Sequence, residues 1–133
     1  MHKSMTKKIQ LRPTNSEMEI LGIIWTHGPS TVRFVNDELS AKRRIGYTTT
    51  LKLMQIMTEK GLLRREKDSR NHIYFPLILE EETKDVMIQK FIDNLFEGSA
   101  AKLVMQALGN HKASKAELDM IKELIKEKEG GKL

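Results

Sequence analysis

The stretch between Gly46 and Pro76, GYTTTLKLMQIMTEKGLLRREKDSRNHIYFP, constrains the fold of this chain more than any other part. A helical pattern opens on consecutive threonines and stops at Lys60-Gly61, where glycine can adopt the left-handed conformation that closes a helix. A basic run follows, and residues 69–71 suit the tip of a hairpin. An alternating segment then ends at Pro76, which stops a strand. The pattern predicts a helix followed directly by a basic two-stranded hairpin.

The predicted helix has two chemically different faces when successive residues are placed about 100° apart. The side that would pack on neighbouring helices comprises Thr50, Leu53, Met54 and Met57. The opposite side carries Thr48, Lys52 and Gln55, whose hydroxyl, ammonium and amide groups can contact base edges. A helix followed by a basic hairpin is the recognition half of a winged helix-turn-helix, so this stretch predicts DNA binding. An amphipathic helix with a solvated face, beside an exposed hairpin, is the alternative.

Two further helices are predicted ahead of this stretch. Thr14 and Glu17 form a capping box that starts a first helix, from Asn15 to about Thr26. His27-Gly28-Pro29 ends that helix, and Ser30 or Thr31 caps a second one. Residues 11–80 are therefore predicted to form a winged-helix domain, and a basic arm is predicted up to Pro13. Pairing of residues 30–32 with the wing is left open by the sequence.

Residues 81–128 are predicted to be entirely helical, with interruptions at Gly98-Ser99 and Gly109-Asn110 and a capping box formed by Ser114 and Glu117. About 50 residues seldom bury enough apolar surface to fold alone. We therefore expect a second copy of this segment to complete it, giving a homodimer; a helical cap folded onto its own winged helix is the alternative. The candidate dimerisation residues are Met87, Phe91, Leu95, Leu103, Leu118, Ile121 and Leu124. The fold class is mainly α with a small β-wing.

The charge is unevenly distributed along the 133 residues. Residues 1–80 carry 14 Lys and Arg against 8 Asp and Glu, whereas residues 81–133 carry 9 against 10. A basic first part and a near-neutral second part indicate that the first meets a polyanion and the second meets protein. No apolar run approaches the length of a membrane span, and the N-terminus lacks a hydrophobic secretion signal. We therefore expect a cytoplasmic protein with no direct membrane insertion.

The residue pattern argues against an enzyme, a metal site and a bound cofactor. The chain has no cysteine, which excludes disulfides and thiolate metal sites. Its four histidines are scattered without metal-ligand spacing, and there is no glycine-rich phosphate loop. No serine and histidine pair has an orienting acid, so no catalytic residue is predicted. A winged-helix adaptor that binds protein rather than a specific DNA sequence remains the rival to a DNA-binding regulator.

The order of several short motifs resembles the BlaI/MecI penicillinase-repressor family, which includes copper-responsive CopY-type members. The motifs are Glu17 with Ile23-Ile24-Trp25, Tyr47-Thr48-Thr49-Thr50, Glu59-Lys60-Gly61-Leu62, the set Arg70, Tyr74 and Pro76, and Leu95-Phe96-Glu97-Gly98-Ser99. The resemblance extends from about Leu11 to Glu127. It implies a dimeric winged-helix repressor that binds operators with dyad symmetry. It also implies that the helix near Thr48–Lys60 lies in the major groove and that the C-terminal helices form the dimer.

The chain departs from this family's pattern at two places. Copper-sensing members carry a C-terminal cysteine cluster, which is absent here. The β-lactam-responsive members are inactivated by proteolysis at an Asn-Phe bond in the helix that corresponds to Ala100–Leu108. The corresponding candidate cleavage pair here is Gln106-Ala107. The resemblance thus makes a membrane-bound sensor protease a further candidate partner, but the altered pair does not predict the same antibiotic signal.

The mechanism expected from these features is occlusion of a promoter by a homodimer bound to double-stranded operator DNA. Phosphate contacts are expected from five basic side chains, with help from Ser30 or Thr31 at a helix N-terminus. Those five are Arg43, Arg44, Arg65, Lys67 and Arg70. Base contacts are expected from Thr48, Thr49, Lys52 and Gln55.

Overall fold

The structure is a computed structural model that describes residues 12–68 and 70–130. Those residues form six helices and a two-stranded antiparallel sheet, so the chain is mainly helical with a small β-hairpin. The helices are α1 (Asn15–His27), α2 (Val32–Ser40), α3 (Tyr47–Glu59), α4 (Glu80–Leu95), α5 (Ala100–Asn110) and α6 (Lys115–Gly130). The strands are β1 (Leu63–Asp68) and β2 (Asn71–Pro76). The basic arm is predicted to run up to Pro13; its residues 1–11 lie outside the described residues, as does Ser69 of the predicted hairpin tip.

The first helix has the predicted capping box. The Thr14 hydroxyl accepts the Glu17 N–H at 3.2 Å, and the Glu17 carboxylate accepts the Thr14 N–H at 2.9 Å. At the other end Gly28, with φ of 91°, donates its N–H to the Ile24 carbonyl at 2.7 Å. The left-handed region that this φ occupies favours glycine, which explains why α1 ends here.

The cap of α2 is Thr31 rather than Ser30. The Thr31 hydroxyl accepts the Phe34 N–H at 3.1 Å. The Ser30 hydroxyl instead donates to the Gly28 carbonyl at 2.7 Å, and Ser30 is buried. Of the two residues that the sequence allowed as the cap, Thr31 is therefore the one with a hydroxyl beside the first turn of α2.

The hairpin is the wing of the fold, and its register runs from Leu63 opposite Pro76 to Asp68 opposite Asn71. It follows α3 closely because Gly61, with φ of 86°, reverses the chain after the helix. The backbone of Ser30 forms a two-way bridge with Tyr74, with N···O distances of 3.1 and 2.8 Å. Pairing of residues 30–32 with the wing, left open by the sequence, is thus limited to Ser30.

The hydrophobic core draws one or more side chains from each of α1, α2 and α3 and from both strands. Its twelve buried members are Ile20, Leu21, Ile24, Val32, Val35, Leu39, Met54, Met57, Leu62, Leu63, Tyr74 and Ile78. Trp25 is half-buried against this core and donates its indole N–H to the Ile78 carbonyl at 3.2 Å. Burying each such aliphatic side chain contributes roughly 1.5–3 kcal/mol. Trp25 is therefore a core residue, as the sequence indicated.

An ion pair between a buried carboxylate and a partly exposed ammonium joins the start of α1 to the end of α3. The Glu17 side chain is 3% exposed, and the Lys60 ammonium lies 2.9 Å from both of its oxygens. The same carboxylate also accepts the Thr14 N–H. With these partners both carboxylate oxygens of Glu17 accept hydrogen bonds, as a buried carboxylate requires. Lys60 is consequently a structural residue rather than a free surface cation.

The chain divides into two compact units, Met1–Ile88 and Gln89–Leu133, so that α4 begins in one and ends in the other. Among residues 89–130 only Ile92 is buried, and neither α5 nor α6 contains a buried residue. The capping box of Ser114 and Glu117 is present, with N···O distances of 3.0 and 3.1 Å. None of the helices in residues 12–68 and 70–130 is long and apolar enough to span a membrane.

The break predicted at Gly109-Asn110 is wrong, because α5 continues through both residues. Glycine within a helix costs only about 1 kcal/mol relative to alanine, which does not suffice to end it. The Asn110 amide donates to the Gln106 carbonyl at 3.3 Å, and the His111 N–H donates to the Ala107 carbonyl at 3.2 Å. These bonds complete the last turn, and the interruption falls at residues 111–114 instead.

Candidate nucleic-acid interface

The third helix is held by one face and leaves the opposite face free. Thr50, Met54 and Met57 are buried. The four residues predicted to contact bases are all exposed, namely Thr48, Thr49, Lys52 and Gln55. Their side chains have no hydrogen bond or ion pair among the described residues. The exposed face of α3 is therefore polar, mixed in donors and acceptors, and open to a ligand.

The angle between α2 and α3 is fixed by a buried amide. The Asn36 side chain on α2 donates to the Thr50 hydroxyl at 2.9 Å and to the Ile45 carbonyl at 3.2 Å. Ser40 also donates to the Ile45 carbonyl, at 3.3 Å. Because these bonds join α2, the connecting loop and α3, they preserve the orientation of the exposed face of α3. Asn36 drew no prediction from the sequence, since its partners are set by tertiary packing.

The two faces of the wing carry different charges. Residues directly opposite in an antiparallel pair lie on the same face, so Arg65 and Lys67 share the face of Tyr74 and His72. Arg65 and Lys67 are exposed and have no ion pair among the described residues. Tyr74 packs into the core, so this face of the wing is the one that is turned toward the helices. The predicted wing cations thus lie together on one side.

Arg64, the other arginine of β1, lies on the opposite face of the wing, where its side chain already has partners. The Arg64 guanidinium pairs with Glu66 and lies 4.0 Å from the centre of the Phe75 ring. Such pairs with carboxylate and ring neutralise and orient the side chain. Arg64 thus differs from Arg65 in chemistry although the two are adjacent in sequence.

The loop between α2 and α3 contributes two arginines in different states. The Arg43 guanidinium pairs with the Glu19 carboxylate at 2.6 Å, and both side chains are partly exposed. Arg44 is exposed and has no ion pair within residues 12–68 and 70–130. A phosphate contact from Arg43 would have to compete with Glu19, whereas Arg44 is available as it stands.

A cavity of about 470 Å³ brings together the starts of α2 and α3 and the end of the wing. It unites two of the predicted phosphate contacts, Thr31 and Arg70. It also contains Arg33, Tyr47 and His72, none of which the sequence singled out. The Arg33 guanidinium lies 4.6 Å from the centre of the Tyr47 ring. One sequence signal could have identified Arg33, because it occupies the first turn of a capped helix, where anions bind.

The predicted dimerisation residues lie on helices with little intramolecular cover. Phe91, Leu95, Leu118 and Leu124 are 38–63% exposed, and Met87, Leu103 and Ile121 are half-buried. Phe91 contacts Phe96 with ring centres 5.8 Å apart. In the second unit, an open cavity of about 550 Å³ lies along Leu95, Phe96, Met105 and Gln106. The candidate cleavage pair Gln106-Ala107 is exposed and lies within α5.

The three helices, the turn between α2 and α3, and the hairpin define the first unit as a winged helix-turn-helix. Residues 13–127 match the model of the penicillinase repressor family. The chain is 25% identical to the penicillinase repressor of Bacillus licheniformis over 114 residues, covering 86% of this chain and 89% of that protein. It is 22% identical to the methicillin resistance regulatory protein MecI of Staphylococcus aureus over 115 residues, covering 86% and 94% of the two chains.

A further relative matches only part of the chain. The transcriptional regulator BlaI of Mycobacterium tuberculosis is 36% identical over 62 residues, which cover 46% of this chain and 45% of that protein. The chain therefore belongs to the penicillinase repressor family. This match confirms the resemblance seen in the short motifs. The family is one of transcriptional repressors and not of enzymes.

Proposed function

We propose that this protein represses transcription as a homodimer bound to an operator with dyad symmetry, where it occludes the promoter. The observation that carries the proposal is the division of α3 into a buried face and a free polar face. A helix held in this way presents a rigid row of donors and acceptors, which suits the major groove. The proposed site of action is the bacterial chromosome, and hence the cytoplasm.

The proposed interface separates base contacts from phosphate contacts. Thr48, Thr49, Lys52 and Gln55 on the free face of α3 would contact base edges. Arg44 and the wing cations Arg65 and Lys67 would contact phosphates, since all three are exposed and without an ion pair among the described residues. Arg43 would join them after leaving Glu19. Because phosphate contacts release counterions, the affinity should fall steeply with salt.

The proposed dimer contact lies in the second unit. Its helices expose Phe91, Leu95, Leu118 and Leu124, while Ile92 is the one buried residue of 89–130. Apolar side chains exposed along several helices indicate an interface with another chain. A second copy would cover this surface, and the resulting dimer would carry two α3 helices to two half-sites.

Release from the operator is proposed to differ from that of the β-lactam-responsive relatives described by the family resemblance. The Gln106-Ala107 bond is exposed, but it lies within α5 and would have to leave the helix to enter a protease cleft. A protease pocket that binds an aromatic side chain would also bind Ala107 weakly, because alanine has no phenyl ring to fill it. A sensor protease that acts on this chain would therefore have to accept Gln-Ala or cut elsewhere.

The proposal can be tested by recovering the DNA that the protein binds. Fragments of the source genome are selected on the purified protein and sequenced, and the enriched sequence is titrated at several salt concentrations. Enrichment of a dyad sequence, bound as two chains per duplex with a steep salt dependence, is expected. Equal binding to all duplexes, or no binding at physiological salt, would favour the winged-helix adaptor and contradict the repressor.

A further inference from the structure

The cavity between α2, α3 and the wing has the chemistry of an anion site. Its described lining includes two guanidinium groups, from Arg33 and Arg70, and none of the described lining residues is acidic. His72 and Asn71 add an imidazole and an amide from the wing. Arginine is the side chain best suited to phosphate, because its planar fork can donate two parallel hydrogen bonds.

The start of α2 adds backbone donors to this cavity. The N–H groups of Val32 and Arg33 belong to the first turn, and neither has an acceptor among the described residues. They also lie at the positive end of the helix dipole. The Thr31 hydroxyl accepts the Phe34 N–H, which leaves its own proton available for donation to a ligand. An anion would thus meet donors from the backbone as well as from side chains.

A buried side chain on the wing indicates independently that the cavity takes a polar ligand. Tyr74 is 1% exposed and lines the cavity, and none of the described hydrogen bonds involves its hydroxyl. The Tyr74 hydroxyl therefore has no hydrogen-bond partner among the described residues, and Tyr74 is one of the residues that line the cavity. A ligand oxygen there would accept its proton.

The position of Arg33 is set by Tyr47. The guanidinium lies 4.6 Å from the centre of the Tyr47 ring, within the range of a cation–π contact. Tyr47 and Leu51 of α3 line the cavity, and each directly precedes a residue of the free face, Thr48 and Lys52. An anion held by Arg33 would thus belong to the same ligand as the groups that contact α3.

We infer that this cavity holds one phosphodiester group of the operator backbone, with Arg33 and Arg70 as its charged ligands. The first turn of α2 and the Thr31 and Tyr74 hydroxyls would complete the site, and Tyr47 would orient Arg33. The inference rests on the proposed function, since the phosphate is part of the operator. It adds Arg33, Tyr47 and Tyr74 to the residues that bind DNA, and it makes this contact independent of base sequence.

The test combines a charge change in the protein with a charge change in one phosphate. Arg33→Gln is compared with Arg64→Gln, which removes the same charge from the opposite face of the wing. Each variant and the wild type are titrated with operator duplexes that carry a neutral methylphosphonate at one position of each half-site in turn. Circular dichroism confirms that each variant is folded.

We expect Arg33→Gln to bind the operator about tenfold more weakly per half-site, the effect of losing one charge-assisted contact. An unrelated duplex should be weakened by the same factor, and the salt slope should fall by about one per half-site. Arg64→Gln should resemble the wild type. At one methylphosphonate position the wild type should lose affinity while Arg33→Gln loses none further. Additive losses at every position, or equal effects of the two variants, would overturn the inference.

A second measurement separates this inference from the proposed function. Inorganic phosphate is titrated into the wild type and Arg33→Gln, and the amide resonances of Val32 and Arg33 are followed by NMR. If the wild type binds DNA without any contribution from Arg33, the repressor stands and the cavity assignment fails. If no duplex binds but phosphate shifts these amides only in the wild type, the ligand is a free phosphate and the backbone assignment is overturned.

Discussion

The two units of this protein expose opposite kinds of surface. In the first, twelve side chains form a buried core, and the free face of α3 is polar. In the second, α5 and α6 bury nothing, and the exposed side chains include Phe91, Leu95 and Leu124. A complete hydrophobic core beneath the exposed polar face of α3 suits the binding of a polar and charged ligand. Helices without a core, exposing apolar side chains, suit contact with another protein chain.

The largest expected effect comes from making the apolar surface of the second unit charged. Phe91→Asp or Leu95→Asp should dissociate the dimer, because an unpaired carboxylate cannot be buried at its interface. Operator affinity should fall by roughly 10²–10⁴-fold, since the two half-sites would no longer be bound as one linked event. Sedimentation and operator titration measure the two consequences.

Asn94→Asp is the matched control, because it adds the same charge to an exposed position of α4 without removing an apolar side chain. It should sediment as the wild type does. A wild-type protein that is monomeric at micromolar concentration would refute the contrast between the units, since the second unit would then need no partner.

The next effect concerns the ion pair between Lys60 and Glu17, which joins α3 to α1 in the first unit. Lys60→Met leaves the Glu17 carboxylate, 3% exposed, without its cation. Because Lys60 itself is 31% exposed and partly screened by solvent, the loss of its charge should lower the free energy of unfolding by about 2–3 kcal/mol. Adding Glu17→Gln should restore most of that loss, because the glutamine is neutral. Urea unfolding gives the values, and Lys115→Met, which breaks an exposed pair, should change stability by less than about 1 kcal/mol.

The features that the sequence predicted correctly are local ones. The capping boxes at Thr14 and Ser114 depend on residues three positions apart, and the two faces of α3 follow from helical periodicity. The bond from Lys60 to Glu17 joins residues 43 positions apart, and the Asn36 bonds depend on the angle between two helices. Arg33 meets Arg70 in one cavity only because the wing folds back beside α2. Tertiary packing creates these contacts, so no local pattern could reveal them.

The third effect tests the lack of a core around α5. The double substitution Gln106→Asn with Ala107→Phe changes two exposed positions and should change stability by no more than about 0.5 kcal/mol. The new phenyl ring should favour binding in an aromatic protease pocket by roughly 1.5–3 kcal/mol. A sensor protease from a β-lactam-responsive system should therefore cut the double variant and leave the wild type largely intact. Fragments from co-expression measure this, and efficient cleavage of the wild type at Gln106-Ala107 would restore the antibiotic-signal hypothesis.

The smallest effect per single contact is expected within the polar surface of the first unit, where base contacts and phosphate contacts should be separable. Lys52→Ala or Gln55→Ala should cost about 1–3 kcal/mol per half-site on the operator and relax the base preference there. Arg65→Ala should instead weaken every duplex by one factor and reduce the salt slope by about one per lost phosphate contact. Titration of an operator and a scrambled duplex at three salt concentrations distinguishes the two patterns. If Lys52→Ala and Gln55→Ala both leave the ratio of the two affinities unchanged, the free face of α3 does not contact the bases, and its polar side chains only keep that surface hydrated.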